Sequence, residues 1–194
     1  MKNIVIYKSL SGFTKRYAQW IAEDLHTTAI ELGKFKSHMI EKDTIIIFGG
    51  SLHAIGINGY KKLNKILKDR EYNELVLFAV GASPYKDGIE NEIKKSNCIE
   101  TDENKIRLFY LRGGFNYAQL DPWNKFLMIL LKLKIMNKKP EIRTPDEKGM
   151  LASYQNPIDA TKKENTREIV NYARGIEFPP QRHRGHRDIT ESIS

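Results

Sequence analysis

Three hydroxyls and one glycine crowd the run Ser9-Leu10-Ser11-Gly12-Phe13-Thr14. Ser9, Ser11 and Thr14 are too small and too polar to build a core, but each can donate a hydrogen bond. Gly12 lets the backbone come close to a ligand or take a positive φ. Such a loop suits a group with many acceptor oxygens. Its donors are all uncharged, and no lysine stands where a P-loop needs one. The chemistry implied is a phosphate held permanently, without transfer. A single Ser or Thr here would read as a helix cap; three with a glycine at one junction read as an anion site.

The neighbouring elements must hold that loop in place. Asn3–Tyr7 reads as a strand. Thr14–His26 puts Tyr17, Ala18, Ile21, Ala22 and Leu25 on one face, the pattern of an amphipathic helix. The loop therefore lies where a strand's carboxyl end meets a helix's amino end. Unpaired amides and the helix dipole favour an anion there. Further along, Thr28–Leu32 reads as a short strand. Continuous apolar runs at Asp43–Gly49, Leu75–Val80 and Ile106–Leu111 read as strands buried on both faces. Helical patterns cover Tyr60–Lys68, Gly88–Lys95 and Lys162–Ile176, the last opened by the capping-box pattern Thr161-x-x-Glu164. Strands alternating with helices predict an α/β fold, a five-stranded parallel sheet covered on both faces. One domain is expected over residues 1–178, with an insertion at about 118–155. The polar tail 179–194 is expected to be disordered.

The run from Ile4 to Ala18, an apolar strand followed by Ser9-x-Ser11-Gly12-x-Thr14 and then Ala18 a turn into the helix, resembles the flavodoxin signature. The resemblance implies the flavodoxin-like strand order 2-1-3-4-5 and FMN, its phosphate in the Ser9–Thr14 loop, Leu10 and Phe13 included. Ligands of such sheets bind beyond the strand carboxyl ends, where three further loops gather small residues. They supply the candidates Ser51, Leu52, His53, Ala54, Ile55 and Gly56; Ala82, Ser83, Pro84 and Tyr85; and Gly113, Gly114 and Phe115. Any one cluster is an ordinary turn; together on one sheet edge they suit a flat ring with backbone amides at its rim. His53 either touches the ring or faces solvent. Tyr85, Phe115 and Tyr117 either stack on it or pack elsewhere. No catalytic side chain is needed, since the flavin carries the chemistry.

The chain carries a net charge of +8 over 194 residues, which favours anionic partners. Flavodoxins that serve as carriers are typically acidic around the flavin, so this balance argues for another role. Pro122–Lys139 reads as a basic, apolar helix: five lysines and no acid between Pro122 and Pro140. It could lie on an anionic membrane surface, line the mouth of a site for a hydrophobic substrate, or pack on the protein's own sheet. An inserted helix that opens Trp123-x-x-Phe126-Leu127 after an Arg112–Tyr117 lead-in resembles the menaquinone-dependent, flavodoxin-like protoporphyrinogen oxidases in layout. That likeness implies a quinone acceptor. Three classes follow: an FMN oxidoreductase for a flat or quinone-like molecule, a one-electron carrier for protein partners, and a non-redox interaction domain. The intact phosphate loop disfavours the third. No nucleotide G-x-G-x-x-G follows a strand, and neither metal nor nucleic acid is expected, although His183 and His186 stand in the basic tail. Cys98 is the sole cysteine, so no internal disulfide forms. No apolar run reaches the roughly 20 residues of a spanning helix. A cytoplasmic protein, at most peripheral at a membrane, is expected.

Overall fold

The apolar runs lie in the middle of one sheet. A computed structural model describes residues 2–99, 106–120, 122–154 and 157–176. In chain order the elements are β1 (Lys2–Lys8), α1 (Phe13–Asp24), β2 (Ala29–Glu31), β3 (Thr44–His53), β4 (Gly56–Ile57), α2 (Tyr60–Leu67), β5 (Glu74–Gly81), α3 (Ile89–Ser96), β6 (Ile106–Arg112) and β7 (Gly114–Phe115). Then come α4 (Pro122–Met136), α5 (Pro145–Ser153), β8 (Ile158–Asp159) and α6 (Arg167–Ala173), with short 3₁₀ turns between.

The main sheet runs β2-β1-β3-β5-β6 with every one of these pairs parallel. Counted over its five main strands, this is the expected order 2-1-3-4-5. Register is fixed across it: Val5 faces Ala29 and Ile47, and Ile47 faces Val76. The central strands need apolar residues on both faces because helices cover both. Ile4, Ile6, Ile46, Phe48 and Leu77 pack beneath α2 and α3. Val5, Ile47, Val76 and Phe78 pack beneath α1 and α6, against Tyr17, Ile21 and Ile169.

Three expectations are corrected. β3 does not stop at Gly49; it continues to His53 and folds back through Ala54 and Ile55 as β4, so that His53 pairs with Gly56 antiparallel. The capping box at Thr161 does not form. Thr161 instead donates its hydroxyl to Asp159 Oδ1 (2.7 Å), and a 3₁₀ turn, Lys163–Thr166, precedes α6. A capping box does form at α5, where Thr144 and Glu147 bond reciprocally. Finally, the helix expected over Pro122–Lys139 ends at Met136. The inserted segment between β7 and β8 is thus two helices, tied by Tyr154, which donates to the carbonyl of Met128 in α4 (2.6 Å). The tail from 177 onward, with its two histidines, lies outside the described residues, as do 100–105. Among the described residues, no helix is long and apolar enough to cross a membrane.

Candidate functional site

The loop between β1 and α1 is shaped by Gly12. It occupies the amino-cap of α1 with φ 87°, a left-handed conformation suited to glycine. Its carbonyl accepts the first helical bond, from Arg16 N (3.0 Å), and its own N–H donates to Ser9 Oγ (3.0 Å). The amides of Phe13, Thr14 and Lys15 precede that first bond and have no intrahelical acceptor. There is no acid in the first turn of α1 to occupy its positive end. A Cβ on Gly12 would meet nothing within 4 Å, so the space over the loop is open.

Of the three hydroxyls, only that of Ser11 has no bond partner among the described residues. Ser9 accepts from Gly12. Thr14 is buried, at 1% exposure, with its Oγ1 2.9 Å from Ser51 Oγ. Ser51 also accepts from Leu10 N (3.1 Å). The sequence places Thr14 and Ser51 in separate candidate clusters; the fold joins them, and Ser51 anchors the first loop to the end of β3. Two neighbouring cations are engaged in ion pairs, while Lys15 is exposed. Lys8 pairs with Glu31 (3.3 Å), and Arg16 with Asp159 (2.5 Å) and Thr161 (2.8 Å).

Beside this loop is an open cleft of about 420 Å³ lined by Leu10, His53, Gly56, Ile57, Asn58, Trp123 and Leu127, within the usual size of ligand sites. It joins the first loop, the β3–β4 hairpin and the start of α4. His53 is the only titratable side chain of that lining. Ser51, Leu52, Ala54 and Ile55 belong to the same hairpin, which Asn97 holds from outside the site. Its Oδ1 accepts from Ile57 N and its Nδ2 donates to the carbonyl of Ile55, both at 2.8 Å. Nothing in the sequence marks Asn97, because its role depends on contacts across about forty residues.

The other two clusters are placed differently. Ala82, Ser83, Pro84 and Tyr85 are all exposed at the carboxyl end of β5. Tyr110 donates to the carbonyl of Ser83 (2.6 Å), and burial pushes its hydroxyl up to about 12 despite the opposing field of Arg112, so it stays a donor. Tyr85 packs edge-on to Tyr110 and donates to Glu90. Gly113 and Gly114 are glycines for the protein's own packing: a Cβ there would strike Val80 at 2.6 Å, or the carbonyl of Ile158 at 2.1 Å and Phe13 at 2.8 Å. Gly49, Gly50 and Gly81 likewise make room for Phe78, Ile57 and Tyr110. Phe13 is itself buried, leaving only its amide to the loop. Phe115 and Tyr117 both pack on Tyr154, 5.5 and 5.3 Å between ring centres. The Nε of Arg112, at the end of β6, is buried without a partner.

The donor set fits a phosphate carried on a flat ring: uncharged amides at a helix start, one free hydroxyl, open space over Gly12, and an apolar cleft alongside. Among known proteins, residues 4–142 match the model of a family described as a flavodoxin domain. No curated protein matches. A solved structure titled "Structure of a flavodoxin from the domain Archaea" aligns at 19% identity, over 57% of this chain and 85% of that one, with a TM-score of 0.38.

Proposed function

The chain belongs to the flavodoxin-domain family, its cofactor is FMN, and on that premise we propose that it is an oxidoreductase passing electrons from the flavin to a flat, apolar acceptor of the quinone class. The observation that carries this reading is the cleft. Its walls are Leu10, Ile57, Trp123 and Leu127, and α4 reaches it directly from the β6 loop. When bound, FMN supplies a ring that takes up and gives up electrons one or two at a time. The protein does the rest. The amides of Phe13, Thr14 and Lys15 and the hydroxyl of Ser11 hold the phosphate. Ser51 keeps Leu10 and Thr14 in position. Trp123 and Leu127 exclude water from one side of the cleft. Against the sequence expectation that no catalytic side chain is needed, His53, which lines the cleft, is assigned the role of giving a proton to an acceptor that gains charge.

A one-electron carrier for protein partners is the second reading, favoured by the exposed loop 82–87 at the carboxyl end of β5. A protoporphyrinogen-type donor is supported by the layout of the inserted helix alone. The test starts from the flavin-loaded protein reduced with a measured amount of dithionite, with no reductase present: reoxidation of the flavin by a soluble short-chain quinone is followed, and in a parallel arm protoporphyrinogen replaces dithionite as the electron donor. His53→Gln is expected to slow quinone reduction at least tenfold and to leave an outer-sphere one-electron acceptor unaffected. Equal rates for both acceptors in the variant favour the carrier. Ser11→Ala removes a hydrogen bond to a charged group, worth roughly 1.5–3 kcal/mol, so FMN affinity should fall about tenfold or more. Full flavin retention by this variant at micromolar concentration contradicts the phosphate assignment.

A further inference from the structure

The sequence of α4 is apolar almost all round, yet the helix is buried on only one side. Ile135 is 3% exposed, and Met128 lies against Tyr154. Trp123, Phe126, Ile129, Leu130, Leu133 and Met136 are each 44–67% exposed. At 3.6 residues per turn these six fall on one arc of about 140°. A stripe that wide normally faces a core. Here it faces outward.

The charges around the stripe are all of one sign. Lys125 and Lys132 lie along one edge of the arc and Lys134 along the other; α4 carries no described acid. Lys132 reaches back over the Tyr154 ring, 5.1 Å from its centre, and so stays at the helix flank. Beyond the helix Lys138 is paired with Glu147, while Lys139 is exposed. A second copy seated on this face in two-fold fashion would bring lysine against lysine. An anionic lipid surface meets both features at once: acyl chains take the stripe and headgroups take the lysines. The length agrees, since 15 residues of helix extend about 22 Å, too short to span and suited to lying in the interface plane.

We propose that α4 is a docking face for an anionic membrane surface, into which Phe126, Ile129, Leu130, Leu133 and Met136 insert. Trp123 and Leu127 belong to the cleft as well, so docking turns the cleft mouth towards the bilayer, where apolar acceptors dissolve. Only this last point rests on the quinone reading; the docking face itself does not.

The test is co-sedimentation of the full chain with vesicles of phosphatidylcholine, with and without one-third phosphatidylglycerol, at low and moderate salt. Binding to the anionic vesicles is expected, weakened by salt and by omission of phosphatidylglycerol. Phe126→Ser with Leu130→Ser and Leu133→Ser should reduce the partition coefficient at least tenfold while the melting temperature holds. Lys125→Gln with Lys134→Gln should reduce it roughly thirtyfold, at about a decade per 1.4 kcal/mol and about 1 kcal/mol per lysine. Turnover with a soluble quinone, in the absence of vesicles, should be unchanged in all these variants. That readout fails separately if the acceptor reading is wrong. No binding of the wild-type protein to anionic vesicles overturns the proposal. So does equal binding by the serine variant, or a concentration-dependent dimer that this variant abolishes with no vesicle binding in either form.

Discussion

Ser51 shows how one side chain can serve a site without facing the ligand. Its oxygen takes the Leu10 amide and meets the Thr14 hydroxyl, so removing it strands two polar groups, one of them buried. Ser51→Ala is expected to cost about 1–3 kcal/mol of stability and to weaken FMN binding several-fold by loosening the loop. Urea unfolding of the flavin-free protein and flavin titration measure the two effects separately; a loss of stability with affinity unchanged would separate the anchor from the site. The residue types of this loop were legible in the sequence, because hydroxyls and glycine at a strand-to-helix junction have few other uses. Which hydroxyl is free was not. Thr14 and Ser51 are 37 positions apart, and only parallel pairing of β1 with β3 brings them together. The same holds for the later glycines. The sequence offers Gly113 and Gly114 to a ring, whereas the fold spends them on Val80 and on Ile158 with Phe13.

Among the elements, the long apolar runs were the easiest to read, since a strand buried on both faces admits little else. β3 was read short because its last residues, Ser51 to His53, lose the apolar signal where the strand leaves the sheet. α5 has no amphipathic pattern in the sequence, and the capping box of Thr144 with Glu147 that opens it emerges only in the fold. Thr161 and Glu164 matched the same pattern but lost to a stronger local partner. Asp159 accepts from the Thr161 hydroxyl and amide and pairs with Arg16, tying β8 to α1. Partial burial raises the Asp159 carboxyl, but those bonds and the Arg16 charge outweigh it and hold it below its ordinary value. A depressed carboxylate stabilises the fold above its unfolded pKa, near 3.9, and loses that contribution as pH falls through the folded value. Both partners are nearly half exposed, so solvent screening limits the pair to about 1 kcal/mol. Asp159→Asn should therefore lower stability by up to that amount at pH 7, and the gap between variant and parent should close as pH falls below the unfolded pKa and through the lowered folded one. Thermal unfolding across that range measures it; a gap that persists at low pH would point to packing instead of charge.

For the whole molecule, the chemistry proposed here makes the cofactor part of the fold's stability. A ligand present at a hundred times its Kd adds about 2.7 kcal/mol. For a chain of this size that is a rise in melting temperature of about 5–10 °C. FMN should give that rise, and riboflavin, which lacks the phosphate, should give much less; equal shifts would mean that the ring alone is held. The inserted segment has a consequence of its own. Tyr17 donates to the carbonyl of Arg112 (2.6 Å) and accepts from Lys162 N (3.4 Å) and Asn165 (3.2 Å). Ala160 donates to Gly113 (2.9 Å), and β7 pairs with β8. The chain thus leaves the sheet and returns to it at one clamp, and residues 116–157 hang from that clamp as a cartridge. Replacing them with an Asn-Gly hairpin turn, which suits two antiparallel strands, should leave a chain that still folds and still holds FMN, as circular dichroism and flavin fluorescence would report. Other helical segments should be graftable between the same two strands. A flavin site built on the sheet could then be given a new address or a new substrate mouth without rebuilding the sheet itself.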